Sequence, residues 1–417
     1  MSAITLEGDI APPVPPSQLR RAVRRAERPA RRAAFSLALP LLIFLAAVFV
    51  VPIASLLTKA VDNPQAHDTL PQTLAALRGW DGVAVPDEAV FAAFAADLAR
   101  AAKARTAAGL GKRLNYEIPE MRSRVMGAAR RAGTMQPPFR EAFLALDPAW
   151  GDTGIWRTIQ REGHPYTASY LLAALDLQRT PGGGIGRVPA DQRIFLGILG
   201  RTLMIAAIVT LLTLLLGYPV AYALTIAPGW LAPIMMLCVL LPLWTSLLVR
   251  TTAWVVLLQT NGVINDALLF LHFTAERLQL IFTRFGTIIA MTHIQLPFTL
   301  LPIASVMRTI PPAHMRAARS LGAPAGAAFW RVYAPQTVPG VVAGCLITFI
   351  LSLGYYITPA LVGGPNDQMV SNFISTFINS ELNWGLASAL GVVLLVVTLA
   401  IYGVFLRVVG ADKLRLG

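Results

Sequence analysis

The chain has 417 residues, of which 55% are hydrophobic and 14% charged, with a net charge of +13. A mean hydropathy of +0.59 is too high for an ordinary soluble protein. The two cysteines, Cys238 and Cys345, sit in apolar runs and give no basis for a disulfide or metal site.

In chain order, residues 1–33 open with Pro12, Pro13, Pro15 and Pro16 and close on Arg20, Arg21, Arg24, Arg25, Arg28, Arg31 and Arg32. This composition predicts a disordered cytoplasmic tail that touches anionic lipid headgroups. It also accounts for much of the basic excess without nucleic acid, because the arginines flank an apolar run instead of forming a separate basic domain. The run, Phe35–Leu57, sets a first span over residues 34–58. It is too long for a signal-peptide core and lacks a small-x-small cleavage site. Pro40 and Pro52 are expected to kink it.

Residues 59–192 are a mostly polar insertion. Pro86-Asp87-Glu88 predicts a helix start, followed by Phe91, Phe94 and Leu98 on one face. Further helices are expected near Arg122–Arg131, at Phe139, Phe143 and Leu146, and over Tyr170–Leu177. Trp150-Gly151-Asp152 and Gly163-His164-Pro165 read as turns. Pro181-Gly182-Gly183-Gly184 reads as a hinge. No Lys-Ser or Lys-Thr follows it, so it is no phosphate loop.

Residues 193–417 form a five-span core. Its apolar runs are Phe195–Ile226, Leu231–Leu258, Phe285–Val306, Val338–Ile357 and Leu386–Val409, each reaching the roughly 20 residues that cross a bilayer. With the first span this makes an all-α integral membrane protein with six transmembrane helices. The tail arginines place the N-terminus inside. Arg308, His314, Arg316, Arg319 and Arg331 then fall in an inside loop, Asp367 and Glu381 in an outside one, and Arg407, Lys413 and Arg415 inside again. The insertion is thereby extracytoplasmic and both termini cytoplasmic.

No catalytic constellation accompanies the spans. H-E-x-x-H, a serine elbow, paired carboxylates at helical spacing and G-x-x-x-x-G-K-[ST] are all missing, and the histidines His67, His164, His272, His293 and His314 are scattered. No cofactor is expected on the chain itself. Two other features stand out. Arg250 is an ionisable residue well inside the third span, where charge is expensive and faces a pathway, a partner or, by snorkelling, the headgroups. Trp244, Trp254, Tyr355 and Tyr356 offer aromatic faces to a cation, or serve packing. Residues 309–337 form a cytoplasmic loop in which Pro311-Pro312 opens a helix, Gly322 stops it and Pro324 starts another. Phe329, Val332 and Tyr333 share a face of that second helix. This amphipathic element fits either a protein docking surface or a helix lying on headgroups.

The loop resembles the EAA loop of binding-protein-dependent ABC importer permeases. Ala317, Ala318, Gly322, Val332 and Pro335 stand at the family's spacings, while Arg316 replaces its glutamate and Ala334 its leucine. Leu241–Thr251, Asn261–Asn265, Leu296-Pro297-Phe298 and Thr358–Pro365 are similar to the spermidine/putrescine branch, from Phe195 to Val409 and in the first span. That branch often carries an acidic residue where Tyr355 stands. The resemblance implies a type I permease core in a bacterial inner membrane, paired with a second permease, identical or homologous. It also implies two cytoplasmic ATPase subunits and an extracytoplasmic solute-binding protein. ATP would be used by the ATPases, whose closure is passed through the loop to turn the permease from inward- to outward-facing. Polyamines are the substrates implied, with opines, aminophosphonates and iron chelates used by related permeases. A secondary transporter is the rival reading, for which inverted repeats and buried acidic residues are lacking. An anchored sensor is another, for which five connected spans are wasteful.

Overall fold

A computed structural model describes Ala33, residues 35–180 and residues 184–409. The tail through Arg32, the hinge residues Pro181–Gly183, and Lys413 and Arg415 lie outside the described residues. The chain forms two compact units that meet at Leu56–Leu57.

The first unit contributes most of a helical candidate span, Phe35–Thr58. A π turn covers Ala46–Val50, two residues before Pro52. Proline has no N–H and its ring strikes the carbonyl four residues back, so a widened turn just before it relieves the conflict. The fifth span repeats the device, with a π turn at Phe329–Tyr333 two residues before Pro335.

Candidate spans in the second unit are Phe195–Ile226, Leu247–Phe270, Arg284–Thr309, Ala325–Gly354 and Trp384–Arg407. The expected third span, Leu231–Leu258, is not one helix. It breaks into Leu231–Trp244 and Leu247–Leu258, because Ser246 turns extended and its hydroxyl accepts from the Val249 N–H at 3.2 Å. The segment long and apolar enough to cross is Leu247–Phe270, itself interrupted by a turn at 259–262. The fifth span also starts earlier than Val338. Helix runs unbroken from Ala325, so the second helix of the loop is the base of the span and not a separate element.

The fourth span is the buried centre, with 61% of its most apolar window inside against 28% and 33% for the second and fifth. Thr213, Thr299 and Thr348, one from each of these three helices, are fully buried and bonded in series. The Thr299 hydroxyl donates to Thr213 Oγ1 at 2.8 Å, so its single proton is spent and Thr348 is the donor in their 2.6 Å contact. Gly340 and Gly344 let the fifth span come this close. A Cβ on Gly344 would stand 2.5 Å from the Thr299 carbonyl oxygen, and one on Gly340 would stand 2.9 Å from that of Pro302. The pair is a small-xxx-small contact of the kind that packs membrane helices.

The insertion is helical as its periodicity predicts, with Glu88–Ala104 capped by Asp87, Met121–Ala132 and Phe139–Leu146. Phe91, Phe94, Phe143, Trp150 and Trp156 pack into one aromatic cluster. The helix expected through Leu177 stops at Ala174. Asp176 turns left-handed, and Leu177–Arg179 instead pairs antiparallel with Ile185–Arg187.

A buried ionic node holds the insertion to the chain that enters it. Arg113 donates to Asn63 at 3.0 Å, to Glu117 at 3.1 Å and to Glu162, and Arg161 closes the ring on both carboxylates. Burial opposes ionisation of Glu162, but Arg113 and Arg161 overcome it and hold the carboxyl below its usual range. Toward the core, the Asp176 carboxylate accepts from the N–H groups of Ile194, Phe195 and Leu196 at 2.8–3.1 Å, capping the second span from outside it. Tyr170 lies under the cation of Arg113 and against Gly385 at the start of the sixth span. Lys112 also donates to the Glu381 carbonyl.

Two substitutions test these constraints. Gly344→Val forces a side chain into the Thr299 carbonyl and is expected to cost about 1–3 kcal/mol by overpacking. Detergent-solubilised protein should melt several degrees lower, while Gly391→Val, where a Cβ meets open space, should not. Arg113→Met removes one of the two guanidinium partners of buried Glu162 and leaves Arg161, a loss of about 3 kcal/mol, the low end for breaking a buried pair. Fluorescence of Trp150 and Trp156 should then report insertion unfolding at lower denaturant, and an unchanged midpoint would remove the node from the account.

Candidate functional site

The loop after the fourth span is a helix, Pro312–Ser320, entered through extended Pro311. It ends in a Schellman turn. Ala323 N–H reaches the Ala318 carbonyl at 3.1 Å, and Gly322 N–H reaches that of Arg319 at 3.0 Å. Gly322 has φ +88°, the left-handed conformation that this turn requires. Extended Pro324 then starts the helix that becomes the fifth span.

Three contacts hold the loop at a fixed angle to the spans. His314 Nδ1 donates to Gln336 Oε1 at 2.8 Å, since an amide oxygen only accepts. Phe329 sits among Tyr218, Tyr222 and Tyr333, with ring centroids 5.2–6.4 Å apart. Met315 packs beneath, against a cluster that includes Met307 and Tyr333. An apolar cavity of about 750 Å³ adjoins this packing, between Leu214–Tyr222 and Phe329–Val341.

The residues that carry the family spacing fall in two sets. Arg316, Ala317, Gly322 and Pro335 are exposed, whereas Ala318 and Val332 are half-buried against the base. Among the described residues Arg316 has no hydrogen-bond or ion-pair partner. Two residues were not singled out from the sequence. Leu321 is 89% exposed and Trp330 70% exposed on the same element. Their signal was available, because both are large apolar residues beside arginines in a segment otherwise rich in alanine.

The proposed pathway residues are only partly brought together. Arg250 lies one turn into the helix that starts at Leu247, with its Nε and Nη1 atoms buried and unpartnered. Its neighbour Thr251 bonds Thr358 at 2.9 Å, and Tyr355 packs against a cluster of Ile205, Val209, Met291 and Met369. Trp254 donates its indole N–H to His293 Nδ1 at 3.1 Å. Trp244 and Tyr356 stay apart; both are exposed and neither bonds to the others. His293 is the residue that sequence reasoning passed over. It is an ionisable group in an apolar span four residues before a proline, and it lines a cavity of about 370 Å³ with Cys238, Val239, Pro242 and Pro297. No group of three or more metal-ligating side chains occurs among the described residues.

Comparison with known proteins adds an independent line. The family model of the binding-protein-dependent transport system inner membrane component matches residues 213–415. The spermidine/putrescine transport system permease protein PotB of Salmonella typhimurium (strain SL1344) is 31% identical over 204 residues, which are 49% of this chain and 71% of PotB. The inner membrane ABC transporter permease protein YdcU of Escherichia coli (strain K12) is 32% identical over 237 residues, 54% of this chain and 73% of YdcU. Among solved structures, a bacterial alginate ABC transporter in complex with alginate pentasaccharide-bound periplasmic protein aligns at 18% identity and a TM-score of 0.43. It covers 52% of this chain and 79% of that one.

Gly322 offers a local test of the loop geometry. Gly322→Ala puts a Cβ where φ is positive and is expected to loosen the end of the loop helix by about 1 kcal/mol. Trypsin should then cut at Arg316 and Arg319 several times faster than in the Gly326→Ala control, whose site is open and helical. Equal rates would mean that the turn does not hold the loop.

Proposed function

From the premise that this chain belongs to the binding-protein-dependent transport system inner membrane component family, we propose that Pro312–Pro324 is its ATPase-coupling element and the insertion its outward docking surface. The protein is a multi-pass inner-membrane permease subunit of an ABC importer, not an enzyme, and ATP is hydrolysed on a separate subunit. Such a permease works with ATPase subunits, a partner permease and a solute-binding protein.

The observation that carries the coupling role is the continuity of the loop with the fifth span. From Ala325 onward the backbone is helical through Gly354, and His314–Gln336 braces the preceding helix against it. A push on Trp330 therefore acts on the span's own helix, while one on Leu321 reaches it through the Gly322–Pro324 turn and the His314–Gln336 brace. Arg316 stands where relatives of this type carry glutamate, so the ATPase contact would rely on an acidic partner or on the apolar pair Leu321 and Trp330.

Orientation follows the arginine distribution. Both termini and the loop are cytoplasmic, and residues 59–192 are extracytoplasmic, on the side of the binding protein. Tyr170, Asp176 and Lys112 hold the insertion against the second and sixth spans, so binding protein docked there would press on the permease directly. The solute proposed is a polyamine or related small organic cation, as the PotB relatives suggest. A second reading, a solute with an acidic group, is favoured by the cationic Arg250. Whether the partner permease is a second copy or a homologue follows from which protein co-purifies.

Affinity purification from native membranes tests the coupling element. The intact chain should bring down an ABC ATPase. With Leu321→Asp and Trp330→Asp together, recovery should fall about tenfold or more, the size expected when two anchor residues of an interface are lost. Equal recovery at equal membrane levels would sink the assignment.

A further inference from the structure

We propose that Arg250 is a carboxylate-binding position in the permease: its open N–H donors are met by a carboxylate from the transported solute or from the second permease subunit. The inference rests on the importer reading above.

The argument begins with cost. A guanidinium has five donors and remains charged at any accessible pH. In hydrocarbon, such a group pairs or faces a cavity. Arg250 does not reach outward to the surface with its whole head, because Nε and Nη1 are buried, and neither has a partner among the described residues. The local backbone makes matters worse. Arg250 occupies the first turn of Leu247–Leu258, at the positive end of that helix dipole, where a cation is disfavoured and an anion welcome.

Among the described residues, no acidic side chain fills this need. Asp266 is the acidic residue that falls within the six candidate spans, and Arg277 holds it at 2.9 Å. Asp367, at the outer end of the fourth span, is held by Arg284 at 2.8 Å.

The neighbours add donors. Trp254 Nε1 can only donate, so His293 Nδ1 accepts and carries no proton. The neutral ring then has its proton on Nε2, so the remaining ring nitrogen is a donor, and His293 lines the cavity beside Pro242 and Pro297. A free cation has no lone pair to offer such a group. A carboxylate does, and its two oxygens match the planar fork of Arg250.

Uptake by the complete complex in vesicles, with its own partner permease, ATPases and binding protein, separates the two sources. The probes are putrescine and ornithine, the same diamine with and without a carboxylate. Arg250→Gln keeps a polar donor without charge, and Arg250→Lys keeps charge without the fork. Size-exclusion profiles of both variants check assembly. If the solute supplies the carboxylate, Arg250→Gln raises the ornithine KM about tenfold or more and leaves putrescine unchanged. If the partner subunit supplies it, the maximal rate for either probe falls about tenfold with KM unchanged, and Arg250→Lys recovers part of the rate. An Arg250→Gln complex whose KM and maximal rate both stay within about twofold of the parent overturns the proposal. A parent complex whose ATPase no binding protein stimulates would instead overturn the importer reading.

Discussion

The short approach of the fourth and fifth spans at Thr299 and Gly344 is the constraint on which the core depends. In lipid there is no hydrophobic drive between helices, so cohesion comes from close packing and from polar groups that find each other. Gly344 brings the fifth-span backbone against the Thr299 carbonyl, and the hydroxyls of Thr348, Thr299 and Thr213 then link three spans in one line. None of these groups could be satisfied by the bilayer. The loop Pro312–Pro324 joins the end of the fourth span to the start of the fifth. Its position is therefore set by a crossing deep in the membrane as much as by its own turns.

The end that carries the insertion is organised by a different kind of bond. Asp176 caps the second span across 18 residues of sequence or more, and Tyr170 occupies the space that Gly385 leaves open. Arg113 stands behind Tyr170 and is itself fixed by Asn63 and Glu162. Docking force on the insertion would thus arrive at the second and sixth spans through short, buried contacts. The importer mechanism asks for such a path, because binding protein and ATPases act on opposite faces of one permease.

Much of this was legible in the sequence. The spans announced themselves by length, and the loop by Pro311-Pro312, Gly322 and Pro324, because proline and left-handed glycine act locally and leave few alternatives. The insertion helix at Glu88 was likewise readable from Asp87 and the repeat of Phe91, Phe94 and Leu98. The third span was misread because continuous apolarity cannot show a break, and Ser246 looks harmless until its hydroxyl caps a new helix. The base of the fifth span was read as a separate helix because Pro335 usually ends one; a π turn absorbs it instead. Contacts that depend on distant partners, such as Asp176 with Phe195 or Trp254 with His293, have no local signature. The motif residues Asn261–Asn265 also proved structural in part, since Asn265 closes a loop onto Leu278.

The central claim is that the loop and the fifth span move as one body. Spin labels at Ala317→Cys and Gly354→Cys, with Cys238 and Cys345 replaced by serine, measure it in the assembled complex. On ATP binding, the distance between the two labels should change by no more than about 2 Å, the scale of shifts within packed helices. The distance from Gly354→Cys to a label on the second permease should change by clearly more. A change confined to the Ala317–Gly354 pair, with the permeases still, would show a flexible loop and contradict the account.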